Sequence, residues 1–175
     1  PHILRLEDRR EEIDFASAGL VGICLYYLLE NIALSYTYAT NVGVIVAVVP
    51  FFTAILSRIV SGDEERLGTW FFPGFVISMS GVAIVSISGG GEGFDLNGDL
   101  LALLAGLTWA VYSIILRRIT SRGYNTIQIT RRTFIYGFAF MIPAAWIMGF
   151  DPDWGALSDP SVIRDVLFLG LTASA

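Results

Sequence analysis

An all-α, polytopic transmembrane helix bundle is the fold class this sequence predicts, and three observations carry that prediction. The chain runs from Glu30 to Arg58 without a charged residue between them, and the stretch ATNVGVIVAVVPFFTAILS (Ala39–Ser57) lies inside that run. A bilayer core about 30 Å thick takes roughly 20 apolar residues to cross, which is what such a run supplies. Five further apolar segments flank this one, and the charged residues fall almost entirely between them. Finally, 54% of the residues are hydrophobic and only 15% are charged, where a soluble domain carries about 25% charged residues.

Composition also excludes function classes. Cys24 is the only cysteine and His2 the only histidine, so an internal disulfide and a zinc or iron–sulfur cluster are not expected. No cofactor is expected. All eleven basic residues are arginine, and no exposed basic domain carries a nucleic-acid footprint. The chain begins at Pro1 and stops at Ala175 inside an apolar run. That predicts a piece of a longer polypeptide, with helices missing at both ends.

The elements follow in order. Pro1–Asp14 is charge-dense and reads as a solvated connector with helix-like charge pairing. The first span, Phe15–Tyr36, would reach roughly 33 Å as a helix. Ser35–Asn41 (SYTYATN) reads as a short uncharged turn, and the second span is Thr40–Ser57. Ser61–Arg66 (SGDEER) is a tight charged loop before a third span, Leu67–Ser88. Gly89–Asp99 (GGGEGFDLNGD) is a flexible acidic loop. Its glycines lack the G-x-G-x-x-G spacing of a dinucleotide fingerprint. The fourth span is Leu100–Leu116, Arg117–Arg132 reads as a basic loop, and the fifth span is Thr133–Phe150. A second acidic loop, DPDWGALSDPSVIRD, leads to a sixth span starting at Val166.

Arginine sets the orientation. Alternate loops lie on one side of the membrane, so Arg5, Arg9, Arg10, Arg58, Arg66, Arg117, Arg118, Arg122, Arg131 and Arg132 share a side, and Arg164 alone faces the other. The positive-inside rule makes the arginine-rich side cytoplasmic. Glu92, Asp95, Asp99, Asp151, Asp153, Asp159 and Asp165 then face outward, with Trp146 and Trp154 near the outer boundary. Small residues recur at helical spacing on three spans: Gly43, Ala47, Pro50, Ala54 and Ser57; Gly74, Ser78 and Gly81; Ala102, Gly106, Ala110 and Ser113. Lipid offers no hydrophobic gain between helices, so close van der Waals approach through small residues must hold a bundle together.

Three stretches together resemble the drug/metabolite transporter superfamily, specifically its EamA-like domain. They are ALSYTYATNVGVIVAVVPFFTAILSRIVSGDEERL, PGFVISMSGVAIVSISG and GDLLALLAGLTWAVYSIILRRIT. The first has the helix–turn–helix with a proline in its second helix and an acidic loop after it; the third resembles the helix that opens the second repeat. The resemblance covers about Gly19 to Thr120 and the rest less clearly. It implies ten helices as two inverted five-helix repeats around a midplane site. Residues 1–90 would be the third to fifth helices, and residues 98–175 the sixth, the seventh and the start of the eighth. The resemblance implies a multi-pass protein of the cell membrane that moves small metabolites or drugs by alternating access. Its partners would be the lipid bilayer and a small solute, with or without proton coupling; nucleic acid is not among them, and a homodimer stays open.

Candidate site residues lie within the spans. Glu30 is the one ionisable side chain well inside a span. Such a group costs roughly 2.5–3.5 kcal/mol on insertion scales, so it usually faces the bundle interior. Tyr27, Glu30 and Asn31 can share a helix face. Glu30 then lines a cavity, for a substrate amine or a proton; or, roughly 9 Å from the outer helix end, it reaches water or a neighbouring tyrosine. Asn41 adds a polar group at the start of the second span. Pro50 cannot bond the Val46 carbonyl and kinks its helix, which either lines a cavity or is a tolerated packing kink. Trp109, Tyr112 and Ser113 form either an aromatic substrate wall or core packing. No enzyme is predicted: G-x-S-x-G and H-E-x-x-H are absent, and no second acid stands in a span. Two readings remain, a secondary carrier of a small solute and a non-transporting membrane assembly or anchoring subunit.

The topology is testable by cysteine labelling in the full-length protein. Thiols placed at Gly62 or Gly123 react only from the cytoplasm, and one at Gly93 only from outside; the reverse pattern overturns the orientation.

Overall fold

The structure, a computed structural model, describes residues 9–61, 68–88, 95–149, 155 and 158–172. Every regular element among them is helical. Helix α1 (Arg9–Gly19) passes without a break through a π-helical segment (Leu20–Leu25) into α2 (Tyr26–Tyr36). Then come α3 (Ala39–Val46), α4 (Val49–Ser61), α5 (Phe71–Ser88), α6 (Leu96–Thr120), α7 (Thr126–Ile147) and α8 (Pro160–Thr172). Of the expected loops, residues 62–66 and 89–94 lie outside the described residues, as do Glu92, Asp151, Asp153 and Trp154.

Among the described residues, three helical stretches are long and apolar enough to cross a membrane: Arg9–Tyr36, Ala39–Val60 and Leu96–Thr120. Six spans were expected. Helix α7 has the length at 22 residues, but its first turns carry Gln128, Arg131 and Arg132, and α5 is apolar over the shorter Phe71–Gly81. The helices also outrun the apolar segments. The expected basic loop Arg117–Arg132 is mostly helix, with only residues 121–125 connecting α6 to α7. Arginine is a good helix former, so a charge at the membrane boundary does not end the helix. The connection turns instead at Gly123, whose φ of +84° is left-handed and suits a residue without Cβ. The polar turn after α2 shrinks to Thr37 and Tyr38.

Two compact units divide the described chain, Pro1–Ile142 and Pro143–Ala175. The second contains the end of α7 and all of α8. There Asp159 caps α8, accepting from the Ser161 amide at 2.8 Å and its hydroxyl at 2.7 Å. Those two donors hold the Asp159 carboxyl below the usual carboxylate range.

In the first unit α6 is the axis. Its Ala102, Ala105, Gly106 and Ala110 are buried, and one cluster packs Ala102 with Ala33 of α2 and Val42 of α3. A second cluster joins Phe15 and Ala18 of α1 to Ile119 of α6 and Ile129 of α7. Glycines set how closely these helices meet. A Cβ at Gly19 would stand 2.7 Å from the Gly137 nitrogen of α7, and one at Gly137 would stand 2.5 Å from the Ile23 Cβ. A Cβ at Gly22 would run into the Tyr112 ring of α6. The stripe Gly74, Ser78 and Gly81 on α5 does not make such a seam: nothing lies within 4 Å of a Cβ at Gly74 or Gly81. Helix α5 instead touches α4 through aromatic rings, Phe51 stacking on Phe75 at 4.7 Å and on Phe71 at 6.4 Å. Its Val76, Ile77 and Ile84 are exposed, as suits side chains whose solvent is lipid.

The charge-dense start is not a solvated connector over its described part. Acids of α1 pair with arginines more than a hundred positions away. Asp14 bonds Arg122 at 2.6 Å and lies 3.8 Å from Arg118. Glu12 lies 4.0 Å from Arg132 and accepts from the Tyr136 hydroxyl. Tyr124 donates to Glu11 at 2.5 Å. The Arg132 guanidinium also sits 5.1 Å over the Phe15 ring, a cation–π contact.

Forcing a methyl into the helix seam destabilises the bundle. Gly19→Ala and Gly137→Ala each cost about 1–3 kcal/mol, the range for overpacking, while Gly74→Ala is nearly neutral. Unfolding of the purified protein in mixed micelles measures the three side by side.

Candidate functional site

Two of the expected site residues, Pro50 and Trp109, meet where the second span breaks. Helix α3 ends at Val46 and α4 starts at Val49. Across the gap the bonds tighten to three-residue turns, Val48 N–H to Ile45 O at 3.0 Å and Phe51 N–H to Val48 O at 2.9 Å. Pro50 has no N–H to offer the Val46 carbonyl, and removing that bond breaks a helix. Two cavities flank the break. One, about 350 Å³, is lined by Val49, Pro50, Thr53, Ala54, Ser57, Trp109 and Arg117. The other, about 300 Å³, is lined by Tyr26, Val46, Val49, Pro50 and Trp109. They share Val49, Pro50 and Trp109 and have the size of ligand pockets, which start at about 300 Å³.

Trp109 belongs to an aromatic group. Its ring lies 5.0 Å from that of Tyr26 and 5.3 Å from that of Tyr112, and Tyr26 lies 5.3 Å from Tyr27. Glu30 joins through Tyr26, whose hydroxyl donates to Glu30 Oε1 at 3.0 Å. The expected partner was Tyr27, one position on. Tyr27 and Tyr26 stand three and four residues before Glu30, and both spacings place side chains on neighbouring positions of a helix. Tyr27 is exposed, and Tyr26 is the ring turned toward α6. Sequence reasoning missed Tyr26, and with it the lining residues Val46, Val49, Thr53 and Arg117.

Asn31 lies apart from the cavities. Its side-chain amide donates to the Tyr27 carbonyl at 2.7 Å. Ser113 likewise bonds within its own helix, to the Trp109 carbonyl at 2.9 Å. Asn41 stands nearer the end of the bundle. Its side chain donates to Thr37 Oγ1 at 3.1 Å, and Thr37 donates to Asp99 Oδ1 at 3.0 Å. This chain fastens the α2–α3 turn to the first turn of α6, where Asp95 caps the helix by accepting from the Asn97 and Gly98 amides. At the other end Arg117 Nη1 donates to the buried Ser57 Oγ at 2.9 Å. Of the eight candidates, Pro50 and Trp109 line the cavities, Tyr112 and Tyr27 extend the aromatic group, and Glu30 is held at its edge. Asn31, Asn41 and Ser113 are engaged elsewhere.

Comparison with known proteins places this arrangement in a family. The EamA-like transporter family matches residues 2–87 and 96–175. An uncharacterized transporter of Archaeoglobus fulgidus is 26% identical over 167 residues, covering 94% of this chain and 55% of that protein. The uncharacterized transporter YcxC of Bacillus subtilis is 30% identical over 129 residues, 72% of this chain and 39% of that protein. A probable terminal-alkyne amino-acid exporter of Streptantibioticus cattleyicolor is 24% identical over 163 residues, 91% and 52% of the two chains. The chain thus spans about half the length of the curated relatives it matches. No solved structure matches it. With its apolar membrane-length helices and a family match over nearly its whole length, the chain is a multi-pass membrane protein and belongs to the EamA-like transporter family.

Proposed function

We propose that this chain is part of a secondary transporter of the cell membrane that exports or exchanges a small metabolite or drug by alternating access. One observation carries the reading: two adjoining cavities meet at the Pro50 break, walled by Trp109 and bounded by the α2, α4 and α6 helices. Irregular backbone at membrane depth is tolerated where it is buried in protein or lines a cavity, and a broken helix beside a midplane site is how many carriers are built. Residues 1–90 and 98–175 are then parts of two inverted five-helix repeats in a ten-helix whole, with the arginine-rich end in the cytoplasm. The probable terminal-alkyne amino-acid exporter among the relatives supports an outward direction and a solute of about amino-acid size.

Within this reading Trp109 and Tyr26 supply a flat apolar wall for the solute body. Glu30 offers a carboxylate to a solute amine, or takes up a proton, and Tyr26 fixes its orientation. Both tasks need a carboxylate oxygen that is not fully committed to a partner. Tyr26 bonds Oε1.

Transport by the full-length protein in proteoliposomes tests this, with a panel of radiolabelled amino acids and cationic drugs. Trp109→Ala raises the half-saturating concentration by up to about tenfold, the equivalent of one aromatic contact. Glu30→Gln keeps the shape of the side chain but cannot titrate; it inserts and folds normally and loses the pH dependence of transport. Wild-type rate and pH profile in Glu30→Gln make the carboxyl structural and remove it from the site.

A further inference from the structure

The cavity wall carries a device that fits neither solute binding nor packing. Ser57 and Arg117 are the cavity residues nearest the arginine-rich end, one on α4 and the other on α6. Ser57 is 5% exposed, and its hydroxyl oxygen accepts from Arg117 Nη1 at 2.9 Å. A buried hydroxyl bonded by a guanidinium ties the two helices across the cavity floor.

A weakened turn precedes α4. Its link to α3 is the break at Ala47 and Val48, where the ordinary helical bonds give way and Pro50 adds none. Helix α3 is anchored on the far side of the break. Val42 is buried with Ala33 and Ala102, and Asn41 is tied to Asp99 through Thr37. At the break itself a Cβ on Gly106 would lie 2.9 Å from Val49 Cγ2, so α4 touches the α6 backbone closely at its first residue. A helix held at its first residue and joined by a weakened turn swings at its far end. That far end is where Ser57 sits, two turns beyond Val49. The rings of Phe51, Phe71 and Phe75 tie the start of α5 to the start of α4.

The geometry points to Ser57 and Arg117 as a gate: their hydrogen bond closes the cavity toward the arginine-rich end, and α4 opens it by pivoting about Val49–Gly106 at the Ala47–Val48 break. The gate rests on the reading of this cavity as the solute path. Arginine suits the task because it stays charged and its planar fork offers several donors. Serine suits it because a single neutral acceptor gives one charge-assisted bond that breaks and re-forms; a carboxylate would make a bidentate ion pair that is harder to open.

The test uses the full-length transporter in sealed vesicles of either orientation, without added solute. The probe is a small membrane-impermeant methanethiosulfonate, and the reporter is a Thr53→Cys substitution on the cavity wall, with native cysteines replaced. Added to Thr53→Cys, Ser57→Ala speeds labelling from the arginine-rich face by roughly tenfold to a hundredfold, the population shift that losing one hydrogen bond from a charged donor produces. Labelling from the opposite face does not speed up. Ser57→Thr, which keeps the hydroxyl, labels at the parent rate. Cross-linking a Ser57→Cys, Arg117→Cys pair with a short bifunctional reagent abolishes labelling from the arginine-rich face of a Thr53→Cys protein, provided the pair is cross-linked before the probe is added. Equal acceleration from both faces, in Ser57→Ala, means general loosening and overturns the gate. An unchanged rate overturns the gate while leaving the cavity accessible as a solute path. A thiol that reacts from neither face in any variant overturns the path and the gate together.

Discussion

The first unit depends on how closely α6 and α7 approach the helix that runs from Arg9 to Tyr36. In water, burial of apolar surface would bring these helices together; in lipid it does not, because the tails are as apolar as the side chains. What remains is contact, and contact requires backbones near one another. Gly19, Gly22 and Gly137 provide it on one side of the unit, and Ala102, Gly106 and Ala110 on the other. At the glycines an added carbon would force a neighbour to move. The aromatic group follows from this. Tyr112 lies against Gly22, which brings Trp109, one turn earlier on α6, level with Tyr26.

Close packing in one place leaves room in another. Helix α6 meets α2 through Ala102 and the start of α4 through Gly106, while farther along α4 and α6 are joined by the Ser57 and Arg117 side chains. The space between holds the larger cavity, about 350 Å³. A straight second span would extend the close contact and fill that space. Pro50 prevents it by withholding one hydrogen bond from Val46. The π-helical segment Leu20–Leu25 acts on the other wall. There the Tyr26 amide reaches the Val21 carbonyl, five residues back, and the wider turn shifts the face that follows. Such segments recur at functional sites because they re-aim side chains within a continuous helix.

These details explain what the sequence could and could not reveal. The helical class, the apolar spans and the break at Pro50 were legible, because length, hydropathy and a missing N–H are local properties. Trp109 was legible as a large aromatic among small neighbours. Tyr26 was not separable from Tyr27: both spacings to Glu30 are helical, and only the orientation of α2 against α6 selects one. Of the small-residue stripes, the one at Ala102, Gly106 and Ala110 is buried in the bundle and the one on α5 is not, while the seam at Gly19, Gly22 and Gly137 has no regular stripe to mark it. Helix ends were misplaced for one reason throughout. Hydropathy marks where lipid ends, and hydrogen bonding carries the helix further.

The charged end shows the same limit most clearly. RREEID reads locally as a solvated helix with its own pairs, yet Glu11, Glu12 and Asp14 are engaged by residues of α6, α7 and their connection. Exposed ion pairs contribute little singly, at about 0–1 kcal/mol. These pairs differ in being partly buried and shared. The Asp14 and Arg132 side chains are 15% and 12% exposed, Asp14 serves two arginines, and Arg132 also covers the Phe15 ring. Removing one acid would leave a guanidinium partly desolvated beside the buried Phe15–Ile119–Ile129 cluster, which costs more than the pair contributes. The network therefore fixes which arginines meet which acids, and with them the register of α1 against α6 and α7. The glycines set how near those helices come, and the charges set where along their length they stop.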